Sequence, residues 1–254
     1  MTFFQRIKYH IYISVNKIIS KKVSTVIGSS AKTKIIRDIF FRPKGLAEIY
    51  TKTINYLNFT FTVSCPLQIL IRAEQRGIES SLSRLIMNEI NAGDNCIDIG
   101  ANYGFITLIM AKMVGATGHV YSFESDANIS QVLRKNIKSN NLDEICSIEN
   151  YFISRISNDR MKMIDDIFNN NNSRIKLIKI DTDGSDYDCL LGAENLIHRD
   201  MPIIIIEMEE KEFKIYQKLH SLGYKYFYDQ HYNIVDIDVN PPNLIASFNP
   251  LITY

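Results

Sequence analysis

The sequence predicts an α/β protein built on a doubly wound, mostly parallel, Rossmann-like sheet. From residue 80 onward, short apolar runs typical of strands alternate with helical patterns. Strands this apolar are expected in a parallel sheet that is covered on both faces. Polar or glycine-rich residues follow the runs, at the strand ends where open α/β sheets bind ligands. The length of 254 residues suits one such domain with an N-terminal extension.

The N-terminal extension, residues 1–70, is predicted to be basic and helical. The first 45 residues hold ten Lys or Arg against one acid, Asp38. Their net charge is therefore +9, and the net charge of the remaining chain, called the body below, is −8. An apolar stripe at three- and four-residue steps predicts an amphipathic helix; it consists of Phe4, Ile7, Ile11, Val15 and Ile18. Such a stripe usually packs on its own domain or on a partner, and peripheral contact with an anionic membrane is the alternative.

The other elements are predicted in chain order. Alternation over Asn58–Val63 predicts a strand before Pro66, and a helix from Ser80 ends at the turn Ala92-Gly93-Asp94. Further strands are predicted at Cys96–Ile99, His119–Phe123, Ile145–Ile153, Ile175–Ile180, Pro202–Ile206 and Tyr224–Tyr228. Helices are predicted at Phe105–Met113, Ile129–Ile137, Leu190–Ile197 and Ile215–Leu222.

Composition argues against several classes of protein. The four cysteines lie far apart without a CxxC pair, which favours reduced thiols in a cytosolic protein over a zinc site or disulfides. No run approaches the ~20 apolar residues that span a bilayer, and no cleavable signal is apparent. We therefore expect a cytoplasmic protein. The body beyond residue 45 is acidic, so nucleic acid is not an expected partner.

The segment Asp98-Ile-Gly-Ala-Asn-Tyr-Gly104 follows the first apolar strand of this series and precedes a helix. Gly100 and Gly104 allow a tight turn and a close approach of the backbone to a ligand. Asp98 offers a carboxylate to a ligand that carries an ammonium or sulfonium group. The next strand ends at Glu124, twenty residues beyond Gly104, where nucleotide-binding units place the acid that binds ribose hydroxyls.

These residues favour S-adenosylmethionine over a dinucleotide. A dinucleotide site would prefer G-x-G-x-x-G, but Asn102 and Phe105 stand where the second and third glycines are expected. An acid two residues before Gly100 would also repel a pyrophosphate. An NAD-linked oxidoreductase remains the first alternative, and a non-catalytic relative that acts in an assembly is the second.

Four stretches together resemble the FkbM-type methyltransferases, a family of class I S-adenosylmethionine-dependent enzymes. They are Cys96-Ile-Asp-Ile-Gly-Ala-Asn-Tyr-Gly104, Val120-Tyr-Ser-Phe-Glu-Ser125, Ile178-Lys-Ile-Asp-Thr-Asp-Gly-Ser-Asp186 with Leu191-Gly-Ala193, and Pro202-Ile-Ile-Ile-Ile-Glu207. The resemblance covers roughly residues 72–254. Two departures stand out: the family usually has Glu at the positions of Asp183 and Asp186, and the stretch between Asn150 and Met161 is shorter.

The resemblance implies a methyltransferase domain over residues 71–254 with a seven-stranded sheet. It implies S-adenosylmethionine as cofactor and methyl transfer to an oxygen, commonly a hydroxyl of a sugar or glycosylated natural product. The expected partner is thus a small-molecule or carbohydrate acceptor. The expected cofactor-binding residues are Asp98, Gly100, Ala101, Asn102, Gly104, Glu124, Ser125 and Asn150.

The expected catalytic residues are the carboxylates that follow the next two strands. Asp181 is the first candidate for a general base or acceptor anchor, with Asp183 beside it and Glu207 at the end of the following strand. The alternative is that Asp181, Asp183 and Asp186 gather a magnesium ion, although we predict no metal site, because D-x-D is common in turns. His231 is a second candidate base, but a solvated turn explains it better.

Overall fold

The computed structural model describes Gln5, Tyr9, His10 and residues 48–208, 213–236, 239 and 241–251. The chain divides into two compact units, Met1–Ile78 and Glu79–Tyr254. The predicted apolar stripe of the extension lies outside the described residues. Among the described residues, no helix has both the length and the apolar character needed to cross a bilayer.

The described part of the first unit is largely a β-hairpin. Strands β1 (Ile49–Tyr56) and β2 (Phe59–Pro66) pair antiparallel, and helix α1 (Leu67–Arg76) follows and packs on both. The predicted strand at Asn58–Val63 is present. The extension is therefore not helical throughout, and α1, which packs on the hairpin, belongs to the same compact unit.

The second unit contains a seven-stranded, mostly parallel sheet, counted over the described residues, as predicted. Its strands are β3 (Asn95–Ile99), β4 (His119–Phe123), β5 (Cys146–Glu149), β8 (Ile175–Ile180), β9 (Ile203–Glu207), β10 (Tyr226–Tyr228) and β11 (Asn243–Ser247). A separate short pair joins β6 (Phe152–Ile153) to β7 (Met161–Lys162). The strand order is β10-β11-β9-β8-β3-β4-β5, with β11 antiparallel to both of its neighbours.

Helices of the second unit connect these strands. They are α2 (Ser80–Glu89), α3 (Phe105–Val114), α4 (Ala127–Ser139), α5 (Ile164–Ile167), α6 (Asp186–Leu191), α7 (Glu194–Asp200) and α8 (Phe213–Ser221), with a 3-10 turn at Gly115–Thr117. Strand isoleucines and the apolar faces of α6, α7 and α8 form one continuous core. This burial is the main stabilising contribution to the fold.

Two predicted elements are each divided in the structure. The run Ile145–Ile153 forms β5 and β6, because Asn150 lies between them and its side-chain amide donates to the backbone carbonyls of Glu124 and Ser125. The predicted helix Leu190–Ile197 forms α6 and α7, because the backbone of Gly192 packs against the carbonyl of Ser154. Both interruptions depend on contacts between distant segments.

Candidate active site

Strand register brings the two predicted groups of site residues together. Asp98 of β3 lies opposite Lys179 of β8, and Ile180 of β8 lies opposite Ile206 of β9. One step further along, this register places Gly100 beside Asp181, whose backbone N–H donates to the carbonyl of Ile99 at 3.0 Å. The glycine turn and the carboxylates therefore share the carboxyl edge of the sheet.

The turn after β3 requires glycine at position 100. Gly100 has φ of 79°, and a Cβ there would lie 1.7 Å from the carbonyl oxygen of Asp181. The N–H groups of Gly100 and Ala101 both donate to the carbonyl of Phe123, at 2.9 and 3.0 Å. Asn102 is exposed at φ of 52°, so the turn presents its backbone at the open edge of the sheet.

Gly104 ends the turn and directly precedes the first residue of α3. Its φ is 86°, and a Cβ there would lie 2.4 Å from Cδ1 of Leu133 in α4. The side-chain amide of Asn136 in α4 also donates to the carbonyl of Tyr103 at 2.8 Å. Helix α4 therefore fixes the far end of the turn.

Glu124 bridges the glycine turn and the start of α4. Its Oε2 accepts from the N–H of Asn102 and its Oε1 from the N–H of Asp126, each at 2.8 Å. A carboxylate offers about four acceptor positions, so two remain for hydroxyl groups of a ligand. Burial raises the pKa of Glu124, and the two N–H donors oppose that rise.

Ser125 and Asn150 lie beside this acid. Ser125 is exposed, and its carbonyl accepts from the Asn150 amide at 2.9 Å; the carbonyl of Glu124 accepts from the same amide at 2.6 Å. Asn150 thus orients the segment that follows β4. Contact of either side chain with a cofactor stays a prediction.

Asp98 lies beneath the turn and does not face solvent. It is completely buried, its Oδ2 accepts from the hydroxyl of Thr107 at 2.6 Å, and its Oδ1 has no hydrogen-bond partner among the described residues. Burial raises its pKa, and the nearby Lys179 opposes that rise. The structure therefore gives Asp98 no direct access to a ligand, so it would act through its electric field and the position of the turn.

The carboxylates of Asp181, Asp183 and Glu207 form a cluster in which oxygens from all three lie within 4.8 Å of one another. The hydrogen bond with Asp181, together with burial, raises the pKa of Glu207 to about 8. Burial favours a higher pKa for Asp181 too, but Lys179 and the hydrogen bond from Glu207 outweigh it and hold that pKa below its ordinary value. Asp181 and Glu207 therefore share one proton near neutral pH.

Lys179 was not among the predicted site residues. It is buried, and its Nζ lies 2.7 Å from Oδ2 of Asp181. A signal was present in the sequence, since Lys179 stands between Ile178 and Ile180 in a strand predicted to be covered on both faces. A charge in such a position needs a partner.

The loop that carries Asp183 is held by Asp186. The buried carboxylate of Asp186 accepts from the backbone N–H and the hydroxyl of Thr182, at 2.9 and 3.2 Å, and from the N–H of Gly184 at 3.2 Å. Asp183 is exposed between them with φ of 52°. Asp186 therefore shapes the loop and does not join the cluster.

The cluster has the oxygen donors that a hard cation prefers. The magnesium alternative was predicted at Asp181, Asp183 and Asp186, but the structure groups Asp181 and Asp183 with Glu207 instead, and Asp186 is already engaged by the loop. However, the ammonium of Lys179 already binds Asp181. This ion pair favours acid–base chemistry at the cluster over metal binding.

Two other features lie apart from the cluster. His231 is exposed in a turn in which Asp229 accepts from the backbone N–H groups of His231 and Asn233. A cavity of about 580 Å³ lies at the amino ends of the parallel strands, where its lining includes Asn95, Arg174 and Asn249. It is remote from the glycine turn, and we assign it no role.

Two families of known proteins match the chain. Residues 18–151, just over half of it, match the protein-L-isoaspartate(D-aspartate) O-methyltransferase family, and residues 139–226 match the methyltransferase FkbM domain. The first match includes the glycine turn and Glu124, and the second includes Asp181 and Glu207.

The chain belongs to the protein-L-isoaspartate(D-aspartate) O-methyltransferase family, whose model matches just over half of it. The FkbM-domain match over residues 139–226 agrees with the resemblance seen in the sequence. Both matches are to methyltransferases, which implies S-adenosylmethionine as the methyl donor.

Individual relatives are distant. A protein-L-isoaspartate O-methyltransferase of Ignicoccus hospitalis is 23% identical over 111 residues, which are 44% of this chain and 47% of that protein. The chain thus spans about half the length of the curated relative that it matches. The solved FkbM methyltransferase from Methylobacillus flagellatus is 18% identical with a TM-score of 0.48, over 61% of this chain and 43% of that one. An O-methyltransferase from Thermotoga maritima is 12% identical with a TM-score of 0.48, over 77% of each chain.

Proposed function

We propose that this enzyme methylates a hydroxyl oxygen of a small molecule, most often a sugar or glycoconjugate. The observation that carries the proposal is the carboxyl pair Asp181–Glu207 beside the glycine turn, where the hydrogen bond between the two side chains raises the pKa of Glu207 to about 8. A hydroxyl must lose its proton during methyl transfer, and a base that titrates near neutral pH suits that step.

When bound, S-adenosylmethionine supplies a methyl group on a positively charged sulfur. Glu207 in its ionised form accepts the proton of the acceptor hydroxyl, and Asp183 orients the acceptor from the exposed side of the cluster. Asp181 was the first candidate base from sequence. Its ion pair with Lys179 makes it the weaker base, so its role is to hold Glu207 and the acceptor in place.

The cofactor residues follow the predicted set. The backbone of Gly100, Ala101, Asn102 and Gly104 would bind S-adenosylmethionine, and the missing side chain at Gly100 lets this turn pack directly against the backbone of Asp181. Glu124 would accept hydrogen bonds from the ribose hydroxyls, with Ser125 and Asn150 beside it. Asp98 would favour the cationic cofactor from beneath the turn.

A protein carboxyl methyltransferase is the second candidate, because the matched family and the Ignicoccus relative bear that name. The two candidates differ in their dependence on pH. A carboxylate acceptor is already ionised at neutral pH and needs no base. Methylation of a hydroxyl by Glu207 would instead rise with pH through about 8.

Cofactor binding is tested first, by calorimetric titration with S-adenosylmethionine and, separately, with NAD. We expect micromolar binding of S-adenosylmethionine, loss of that binding in Glu124→Ala, weakening in Asp98→Ala and retention in Glu149→Ala. Glu149 is an exposed acid on neighbouring β5 and serves as the matched control. Preference for NAD would overturn the proposal.

Activity is tested by transfer of labelled methyl groups to a panel of sugars, glycoconjugates and an isoaspartyl peptide. We expect labelled ethers from hydroxylated acceptors, with kcat/KM rising through about pH 8. Glu207→Gln should lose about 10²–10⁴-fold in kcat. Glu194→Gln, which removes a carboxylate paired with Lys218 away from the cluster, should not. Labelling of the peptide alone, with no rise of kcat/KM near pH 8, would favour the carboxyl methyltransferase.

We also propose a cytoplasmic enzyme whose basic N-terminal segment makes peripheral contact with anionic membranes. The support is the charge of +9 in the first 45 residues. We propose no nucleic-acid partner, because the remainder of the chain carries −8.

A further inference from the structure

Lys179 joins the cofactor side of the site to the acceptor side. On β8 it lies in register with Asp98 of β3, and its ammonium binds Asp181, which lies two residues further along the chain, directly after the end of β8. Residues in register on parallel strands, and residues two apart on one strand, point to the same face of the sheet. The buried ammonium therefore lies between two buried or half-buried carboxylates.

We propose that Lys179 is a positioning residue for proton transfer: its buried ammonium fixes the negative charge on Asp181 and thereby leaves the shared proton of the carboxyl pair on Glu207. The inference rests on the proposed function, in which Glu207 is the base. The additional claim is that Lys179 determines which carboxyl group of the Asp181–Glu207 pair acts as the base.

Electrostatics gives the direction of the effect. Two adjacent carboxylates cannot both ionise easily, so one proton stays with the pair until the pH is high. The carboxylate nearer to a cation loses its proton first, and Nζ of Lys179 is 2.7 Å from Asp181. The groups that act on Glu207 are Asp181, Lys179 and Glu79 through their charges, and Asp183 lies in the same cluster. Among them Lys179 is the cation, and it lowers the pKa of Glu207.

The ion pair also accounts for the burial of Lys179. An unpaired ammonium in the sheet would be costly, and the attractions of Asp98, Asp181 and Glu79 outweigh the desolvation that would lower the pKa of Lys179. Lys179 thus stays charged throughout the range in which Glu207 titrates. It acts as a fixed charge and does not itself exchange the proton.

The direct test follows Glu207 by carbon-13 NMR of protein labelled in glutamate carboxyl groups, without any acceptor. Glu207→Gln identifies the signal by its loss. We expect a midpoint of about 8 in the wild type. In Lys179→Met the midpoint should rise by roughly one pH unit or more, because the cation that favours the doubly ionised pair is gone. Lys179→Arg should restore most of the wild-type midpoint.

Lys176→Met is the matched control. Lys176 stands on the same strand, is partly exposed and lines the cavity at the amino ends of the parallel strands. We expect it to leave the Glu207 midpoint unchanged. An unchanged midpoint in Lys179→Met, or an equal shift in Lys176→Met, would overturn the inference.

A second measurement covers the case in which Lys179→Met does not fold. The nitrogen-15 signal of the Lys179 ammonium, assigned through Lys179→Arg, should shift in the wild-type protein with the same midpoint as Glu207. In Glu207→Gln that step should vanish. A Lys179 chemical shift that does not change with the midpoint of Glu207 would contradict the inference.

The kinetic readout separates this inference from the proposed function. In Lys179→Met, the rising limb of kcat/KM should move to higher pH together with the NMR midpoint. If the midpoint moves but no hydroxyl is methylated, the proposed function fails and the role of Lys179 in placing the proton stands. If hydroxyls are methylated but neither the limb nor the midpoint moves, the inference alone fails.

Discussion

At the scale of single residues, Gly100 has very little tolerance for a side chain. An alanine there would combine a left-handed backbone with a Cβ 1.7 Å from the carbonyl oxygen of Asp181. We expect Gly100→Ala to lose about 3 kcal/mol or more in free energy of unfolding, and to lose S-adenosylmethionine binding. Urea denaturation and calorimetry measure the two effects.

Gly115→Ala is the control for backbone strain. Gly115 has φ of 62°, but nothing lies within 4 Å of a Cβ built there. This variant should lose roughly 1–3 kcal/mol, because its φ of 62° and ψ of −167° suit glycine alone, and should bind the cofactor normally. Equal losses in the two variants would show that the contact with Asp181 is not what excludes a side chain at Gly100.

Glu207 should also give the folded protein a pH-dependent stability. Its pKa is about 8 in the folded chain and 4.5 ordinarily, so between these values the folded state binds more protons than the unfolded state. Stability therefore falls as pH rises from about 4.5 to about 8. Asp181, whose pKa is lowered, contributes stability that is lost only at lower pH.

Glu207→Gln tests this expectation, because glutamine stays neutral and still donates a hydrogen bond to Asp181. Thermal unfolding followed from pH 5 to 9 should show a flatter decline in the variant than in the wild type, with Glu194→Gln unchanged from the wild type. A variant with the same slope as the wild type would mean that another group carries the pH dependence.

Residues at turns were more predictable than charges within strands. The roles of Gly100 and Glu124 follow from local sequence, because a strand, a turn and a helix fix where their atoms lie. Asp98 and Lys179 each depend on the strand beside them, and no local pattern shows which strand that is. For this reason Asp98 was expected at the ligand but is buried, and Lys179 was not predicted at all.

At the scale of elements, the loop from β8 to α6 depends on Asp186. Its carboxylate accepts three hydrogen bonds, from two groups of Thr182 and from Gly184, and it is buried. We expect Asp186→Ala to lose roughly 1–3 kcal/mol of stability, since these donors would be left without their acceptor. Activity should fall as well, because Asp183 would lose its fixed place.

The matched control is Asp188→Ala, two residues along the same helix. Asp188 makes a half-exposed ion pair with Arg155 at 3.6 Å. Its loss should change stability by no more than about 0.5 kcal/mol. Comparable effects of the two substitutions, by urea denaturation and by methyl transfer, would contradict the special role given to Asp186.

The sequence predicted most elements of the sheet because buried parallel strands are apolar along their whole length. The strands His119–Phe123 and Ile175–Ile180 have the predicted bounds. Periodicity could not show that the run Ile145–Ile153 divides at Asn150, since the interruption depends on carbonyls at the end of β4. The hairpin before residue 67 was predicted only in part, because one alternating run does not identify its partner.

At the scale of the whole molecule, charge is distributed unevenly along the chain. The first 45 residues carry +9 and the remaining chain carries −8. An anionic surface would attract the first 45 residues and repel the remaining chain. The protein should therefore bind such a surface through its N-terminal segment. Electrostatic attraction of this kind weakens as salt screens it.

Vesicle sedimentation tests this mode of binding with the full chain. We expect binding to vesicles of one part phosphatidylserine to three parts phosphatidylcholine, decreasing with salt, and none to phosphatidylcholine alone. Replacing Lys17, Lys21 and Lys22 together by glutamine should weaken binding by roughly 100-fold, since each basic residue near the surface contributes about 1 kcal/mol. The same replacement of the exposed Lys112, Lys138 and Lys225 should not weaken binding, because these lysines belong to the acidic body. Equal losses in both triple variants would mean that net charge alone governs binding and that the first 45 residues have no special role.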